Sequence, residues 1–364
     1  SPVYLDRDWL RHVHPEGKPY SSRGIAPTLV TEVRVEDATL AHHLDAWAGL
    51  VSELAREHEH LLHAGVELFL EPDLSDNSCS YYFVDHEMRT VFWLDAYETN
   101  QLGLPPSFSG QHLKLSIQQN YWIHVEMFCV HLKSLHSDAL EELISIFVHG
   151  QIDHMTSFTS TFPYSKTDCA DIIKILKTCR SMPYSPNTFA CIARLWSHVI
   201  SNRYLTHYGE EHCRLDRTTS IYGGRTTTRN RVLDAVSRAL FCLPDAIRSK
   251  LEDQFVDDLV TKHQWSAFIR TQMQDWKLSM QWTFALLMYV PCWSVHFECH
   301  LKQSCSGNAL TLPTAYSTFL AHTTMLICAT SALVGAVLHV RHQDLVDADA
   351  PDAVCIPLFS YFLS

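Results

Sequence analysis

Apolar positions along this chain fall into three textures. From Asp37 to His63, Leu40, Leu44, Trp47, Val51, Leu54 and Leu61 recur at alternating spacings of four and three, with His58 in the one missing place. That seam predicts an amphipathic or coiled-coil helix. From Tyr81 to Trp93 the texture changes to Tyr-Tyr-Phe-Val, a turn-like Asp85-His86-Glu87-Met88-Arg89, then Thr-Val-Phe-Trp, which predicts a β-hairpin. The third texture is uncharged: Leu278–Phe297 carries no formal charge, and Thr311–Val340 carries none apart from His322 and His339.

Residues 315–340 would span about 39 Å as a helix at ~1.5 Å per residue, more than the ~30 Å hydrocarbon core, so this stretch is expected to cross a membrane. Residues 279–297, with Gln281 and Pro291, form a weaker second candidate. Lys262, Arg270 and Lys277 before the first stretch outnumber Lys302 between the two, which places the N-terminal body in the cytosol with Arg341 on the same side. Ser331 with Gly335, and Ala332 with Ala336, have the small-xxx-small spacing through which a homo-oligomer could pack.

Between these regions the helices are punctuated by caps. Asp138-Ala-Leu-Glu141 has the form of a capping box and opens a helix running toward Phe162. Ser165-Lys-Thr-Asp168 opens the next, and Ser185-Pro186 the one after, with Gly209 as its expected C-terminal cap. Further helices are expected from Arg229, from Pro244 and from Trp265.

Composition narrows the classes. The chain has 364 residues, 28 Lys plus Arg against 40 Asp plus Glu, and a net charge of −12, which argues against a nucleic-acid binder. Only 12 Gly disfavours a turn-rich β-sandwich. The 12 Cys are scattered with no CxxC pair, a pattern of reduced buried thiols in a cytosol-facing protein. No signal peptide is visible in the charged stretch Ser1–Glu16.

The 81–93 segment resembles strands two and three of a WW domain. In that family a Tyr and a Trp 11 residues apart form a groove for a Pro-rich ligand in polyproline II form. The matching positions are Tyr82 and Trp93, with His86 at the strand-two histidine. The family's first Trp would fall near Leu70 or Glu71 and its closing Pro near Ala96, and both are missing. A partial second copy lies in Trp9-Leu-Arg-His-Val-His-Pro-Glu-Gly-Lys-Pro-Tyr20, where Trp9 to Tyr20 is again 11 residues; its third strand is due near Thr31 and has no aromatic.

Together with Asp153-His-Met-Thr-Ser-Phe-Thr-Ser-Thr161, Ser220-Ile-Tyr-Gly223 and the C-terminal apolar pair, these motifs resemble an uncharacterised basidiomycete fungal family of WW-domain membrane proteins. The resemblance implies a helical body, a degenerate WW-like segment and a membrane-anchored C-terminus, with no known activity. Residues 21–34 and the tail after Arg341 fit that family poorly.

Candidate chemistry is thin. Glu57-His58-Glu59-His60 with His63 suits a metal superficially, but a di-iron bundle needs a second ExxH, and none is present. His149, Asp153 and His154 lie near Ser157, Thr159 and Ser160 without a G-x-S-x-G elbow. His296, Cys299, His300 and Cys305 match no common zinc spacing. Arg214, Arg217, Arg225, Arg229 and Arg231 surround Gly223-Gly224 without a P-loop and could meet anionic lipid head groups. No catalytic, cofactor or metal set is assigned.

The expected architecture is therefore mainly α: a helical body with a small antiparallel WW-like β element and one or two C-terminal transmembrane helices. The segments are a partial WW-like piece (1–35), an amphipathic helix (36–66), a WW-like hairpin (67–98), a helical body (99–277), an apolar helical hairpin (278–342) and a tail (343–364). The expected function is a membrane-anchored interaction protein taking Pro-rich segments at Tyr82, His86 and Trp93. The alternatives are a helical enzyme or metal protein using the His-rich helix, and a structural oligomeric membrane protein.

Overall fold

The computed structural model describes residues 8–24, 27–73, 75, 77–181, 185–223, 249–250, 252–253, 256–257, 259–260, 262–304 and 312–342. It divides into two units, Ser1–Gly223 and Gly224–Ser364. The helices expected from Arg229 and Pro244, the tail, and the side chains of the 296–305 histidines and cysteines lie outside the described residues, as do Arg225, Arg229 and Arg231.

The first correction concerns β structure. A six-stranded sheet runs in the order β1 (Trp9–Val13), β2 (Pro19–Arg23), β3 (Thr28–Thr31), β4 (Val66–Asp73), β5 (Ser78–Asp85) and β6 (Thr90–Phe92). Each WW-like fragment is one antiparallel meander, β1-β2-β3 and β4-β5-β6. Parallel pairing of β3 with β4, Leu29 opposite Leu68 and Val30 opposite Phe69, fuses them. Parallel strands need a long crossover, and α1 (Ala38–Arg56) supplies it. The element is thus one mixed sheet rather than a small WW fold. The joining strand, Thr-Leu-Val-Thr, falls inside the segment that the family resemblance left unexplained.

Strand alternation sends side chains to two faces. Leu29, Leu68, Leu70 and Phe83 meet Leu44, Val51 and Ala55 of α1 on one side, with Trp9 and Val35. Tyr20, Val30 and Phe69 meet Phe128, and Val84 and Val91 meet the helical layer, on the other. That layer comprises α2 (Gly110–Met127), α3 (Ala139–Thr156), α4 (Lys166–Ser181) and α5 (Pro186–Leu205). Its centre stacks Trp122 of α2 on Trp196 of α5, ring centroids 5.3 Å apart, with the Trp196 Nε1–H donating to Ala139 O at 2.9 Å.

The caps test the punctuation. Asp37 accepts from the N–H groups of Thr39 and Leu40, and α1 stops at Arg56, short of His63, where a 3₁₀ turn follows at Glu59–Leu61. Ser165 and Asp168 form a reciprocal box: Asp168 N–H donates to Ser165 Oγ at 3.1 Å and Ser165 N–H to Asp168 Oδ2 at 3.2 Å. Asp138 makes no side-chain cap bond, and α3 ends at Thr156. Ser185 caps α5 through Thr188 N–H, and that helix closes at Leu205, before Gly209.

The second unit contains α6 (Lys262–Ser304) and α7 (Leu312–His342), packed on each other. The second correction falls here: among the described residues no helix is long and apolar enough to cross a membrane. Ser279, Gln281 and Thr283 interrupt the apolar run of α6, and Ser317, Thr318, His322, Thr323, Thr324, Thr330 and Ser331 that of α7. The anchors at 279–297 and 315–340 are withdrawn, and the membrane localisation with a cytosolic body, inferred from them, goes too. Ala332 and Gly335 of the small-residue stripe lie against α6: a Cβ on Gly335 would stand 2.8 Å from Met280 Cγ, and Ala332 is buried. Ser331 and Ala336 are exposed.

Candidate functional site

The sheet face under α2 holds a carboxylate that no apolar core needs. Glu67 on β4 is 6% exposed. Its Oε1 accepts from His131 Nε2 at 2.8 Å, and its Oε2 from His124 Nε2 at 3.2 Å. His86 Nε2 stands 3.2 Å from the same Oε2, buried but without an aligned hydrogen bond. A buried charge is costly unless paired and hydrogen-bonded, so three imidazoles on one carboxylate are the means by which Glu67 stays ionised.

Each ring is held from behind by a phenol. Tyr20 Oη lies 3.0 Å from His131 Nδ1, Tyr82 Oη 3.0 Å from His124 Nδ1, and Tyr121 Oη 3.3 Å from His86 Nδ1. The proton positions follow from donor counting. An ionised carboxylate only accepts, so the Nε2 atoms that bond it carry protons and the Nδ1 atoms accept from the phenols. Tyr20 leaves no alternative, because its oxygen already accepts the backbone N–H groups of Val130 at 2.9 Å and His131 at 3.1 Å. With both lone pairs used, its own proton goes to His131 Nδ1.

The folding of the chain explains why these groups meet. Tyr20 and Tyr82 sit on the middle strands of the two meanders, β2 and β5, and Glu67 lies on the strand that joins them. His86 follows β5 in the turn that Asp85 builds by accepting from Glu87 N–H and Met88 N–H, both at 2.9 Å. His124 and Tyr121 are one turn apart on α2, and His131 follows its C-terminus. Apolar rings seal the site: Tyr82 stacks on Phe69 at 4.8 Å, and Phe128 lies 4.8 Å from His124 and 5.2 Å from Tyr20.

Burial pushes the Glu67 carboxyl up, but the bonds from His124 and His131, with the His86 imidazole beside them, together outweigh it and hold the group well below the usual carboxylate range. Burial drives His124 down, against the pull of Glu67, and burial also lowers His12, whose ring lies 5.7 Å from that of His131. Burial raises all three tyrosines, so they remain phenols and donors.

Tyr82, His86 and Trp93, chosen from the sequence, do share one sheet face, and it is the face covered by α2. Tyr82 and His86 are bonded to His124 and Tyr121 of that helix, and Trp93 packs on the helical core with its Nε1–H on Tyr81 O at 2.8 Å. Glu67, His124 and His131 carried no motif that singled them out. The one usable signal was the repeated Trp-to-Tyr spacing, which marks Tyr20 as the counterpart of a motif tyrosine.

The other candidates separate. Among the described residues no group of three or more His, Cys, Asp and Glu could hold a metal ion; around Glu67 the imidazoles point at the carboxylate itself. The His-rich stretch 57–63 lies beyond the end of α1 at Arg56, so no helix face brings its acids and histidines together, and His63 pairs with Asp85 at 3.2 Å. His154 contacts Phe162 O at 3.3 Å, and Ser157 Oγ lies 3.4 Å from Thr159 Oγ1. Seven described cysteines have free thiols, and burial pushes Cys79, Cys129 and Cys169 up to about 11.

Fold and site together define an α/β/α sandwich locked by a carboxylate–imidazole–phenol network. Comparison with protein-family models, curated proteins and solved structures returns no match.

Proposed function

We propose that the N-terminal unit is a proton-responsive interaction module, in which the Glu67 network latches sheet to helices at neutral pH and loosens in acid. The observation that carries this reading is the placement of one buried carboxylate between three imidazoles contributed by the β5–β6 turn, α2 and the segment after it. Acid acts on the same contact from both sides. His124 is lowered on folding, so the unfolded chain takes up protons first and stability is lost as pH falls below about 6.5, the ordinary imidazole value. Glu67 is lowered as well, so its contribution is complete above 4.5 and is lost as pH falls below that.

In this reading the WW-like aromatic face takes the chain's own α2 where a Pro-rich segment was expected. The test is near-UV circular dichroism and tryptophan fluorescence of the full chain from pH 7.5 to 4, with Pro-rich peptide added at pH 7.5. We expect tertiary signal to fall progressively below pH 6.5 and no saturable response to peptide. Near-UV signal and melting temperature that stay flat between pH 7.5 and 4.5 would refute the latch, and saturable peptide binding at pH 7.5 would restore the groove.

A further inference from the structure

Helix α7 has two opposite seams of apolar side chains; among the described residues one packs against α6 and the other is exposed. Met325, Cys328, Ala332 and Gly335 follow at spacings of three, four and three; Cys328 and Ala332 are buried and Gly335 meets Met280 of α6. On α6 the answering residue is Met280, with Thr283 buried one turn further on. At 100° per residue, Phe319, Leu326 and Leu333, seven apart, project from the far side of α7, flanked by Ile327, Val334 and Val337. These six are 66%, 67%, 66%, 66%, 56% and 54% exposed.

A helix that is apolar on both sides is a buried helix. We propose that the outer seam of α7 is the contact through which two copies of this chain associate, α7 against α7, with Phe319, Leu326 and Leu333 as the heptad positions and Val337 beside them. Three observations select a second copy. Phe319, Leu326, Leu333 and Val337 fall on the alternating four-and-three spacing at which paired helices interlock, with Thr323 and Thr330 at the two remaining places. The six side chains offer roughly 600 Å² per chain, close to the ~800 Å² that each partner of a standard interface buries and at the upper limit of what monomers leave bare. And the stretch Leu312–Val340 has no Lys, Arg, Asp or Glu, so two copies can approach there although each carries a net charge of −12. The small-residue stripe is thereby assigned to the fold of the hairpin, and its opposite face to association.

The test is analytical ultracentrifugation of the full chain from 0.1 to 100 µM, for the wild type and for Leu326→Glu/Leu333→Glu, with far-UV circular dichroism to establish that the variant keeps its helices. Wild type should sediment at twice the 41.7 kDa chain mass, and the variant should raise the dissociation constant by at least 100-fold. A photo-crosslinking residue at position 333 in the otherwise unaltered chain should yield dimer, and one at the inward position 332 should not, which keeps the proposal testable should the double variant misfold. A wild-type monomer throughout, as when another part of the chain covers the seam, overturns it. So do a dimer unaffected by the two glutamates, and flotation of wild type with phosphatidylcholine vesicles that the glutamates abolish.

Discussion

Replacing Tyr20 with Phe removes one oxygen and little else, since the ring stays packed on Phe128 in a position 3% exposed. That oxygen accepts from Val130 N–H and His131 N–H and donates to His131 Nδ1. Three polar groups in a partly buried site therefore lose their partner at once. A buried donor or acceptor left unsatisfied costs about 1–3 kcal/mol. Taking the low end for each group, because Val130 and His131 are only half-buried, gives about 3 kcal/mol. Tyr82→Phe and Tyr121→Phe each remove a single bond, to His124 Nδ1 and His86 Nδ1, and should cost about 1 kcal/mol. For a unit of this size, ~2–4 °C per kcal/mol converts these to a fall of about 6–12 °C for Tyr20→Phe against about 2–4 °C for the other two. Thermal melts of the full chain at pH 7.5, followed by near-UV circular dichroism, read the difference. Amide exchange at Val130 and His131 should accelerate in Tyr20→Phe alone. Equal melting temperatures for the three variants would refute the argument that Tyr20 closes the network.

Glu67→Gln should lower the melting temperature at pH 7.5, because an amide has one acceptor oxygen where the carboxylate accepts from His124 on one oxygen and His131 on the other, and should flatten the loss of stability below pH 4.5; a variant that keeps the wild-type slope there counts against Glu67 as the titrating group. Gly150→Ala would place a Cβ 2.5–2.8 Å from the Phe162 ring, so overpacking should exceed the ~1 kcal/mol that alanine gains over glycine in a helix, and the melting temperature should fall; a rise would show that Phe162 moves freely. Ser165→Ala removes the hydroxyl that accepts from Asp168 N–H at the start of α4, while the Ser165 N–H bond to Asp168 Oδ2 remains, and should cost about 1 kcal/mol, read as a shift in urea midpoint with unchanged slope.

What was legible in the sequence follows the strength of local signals. Heptad spacing and caps located α1, α4 and α5 because both act within a few residues, and the 81–93 hairpin was plain from its β-branched and aromatic run. α2 was not, since His112, Ser116 and His124 interrupt a buried face of Leu115, Tyr121, Trp122 and Val125 and blur its apolar period. β3 is four residues long, and its partner lies beyond α1, so nothing local announces the parallel pairing. The uncharged C-terminal stretches were read as membrane spans because low charge alone does not distinguish a lipid-facing helix from one packed on a protein. The site was half visible: Tyr82 and His86 stood in a motif, but Glu67 was one carboxylate among 40 acidic groups, and its imidazole partners come from three separate segments.

The positions at which the two meanders depart from the WW pattern are filled by the packing of a single mixed sheet. In a free-standing WW domain a Trp on strand one and a closing Pro pack together to cover the side away from the ligand. Here α1 covers that side of the second meander, and Leu70, where the Trp would fall, is fully buried against it with Leu68 and Phe83. An indole there would overfill a core that already excludes solvent. The first meander keeps its Trp9 on that same face, at the sheet edge, where Arg23 lies 4.7 Å over the ring. Its own third strand has no aromatic to offer a ligand, because β3 carries Val30 into the face under α2, between Tyr20 and Phe69. Each fragment lacks the residues that the other half, or a helix, replaces. What both keep is the middle-strand tyrosine, and the two hydroxyls end on imidazoles that share Glu67.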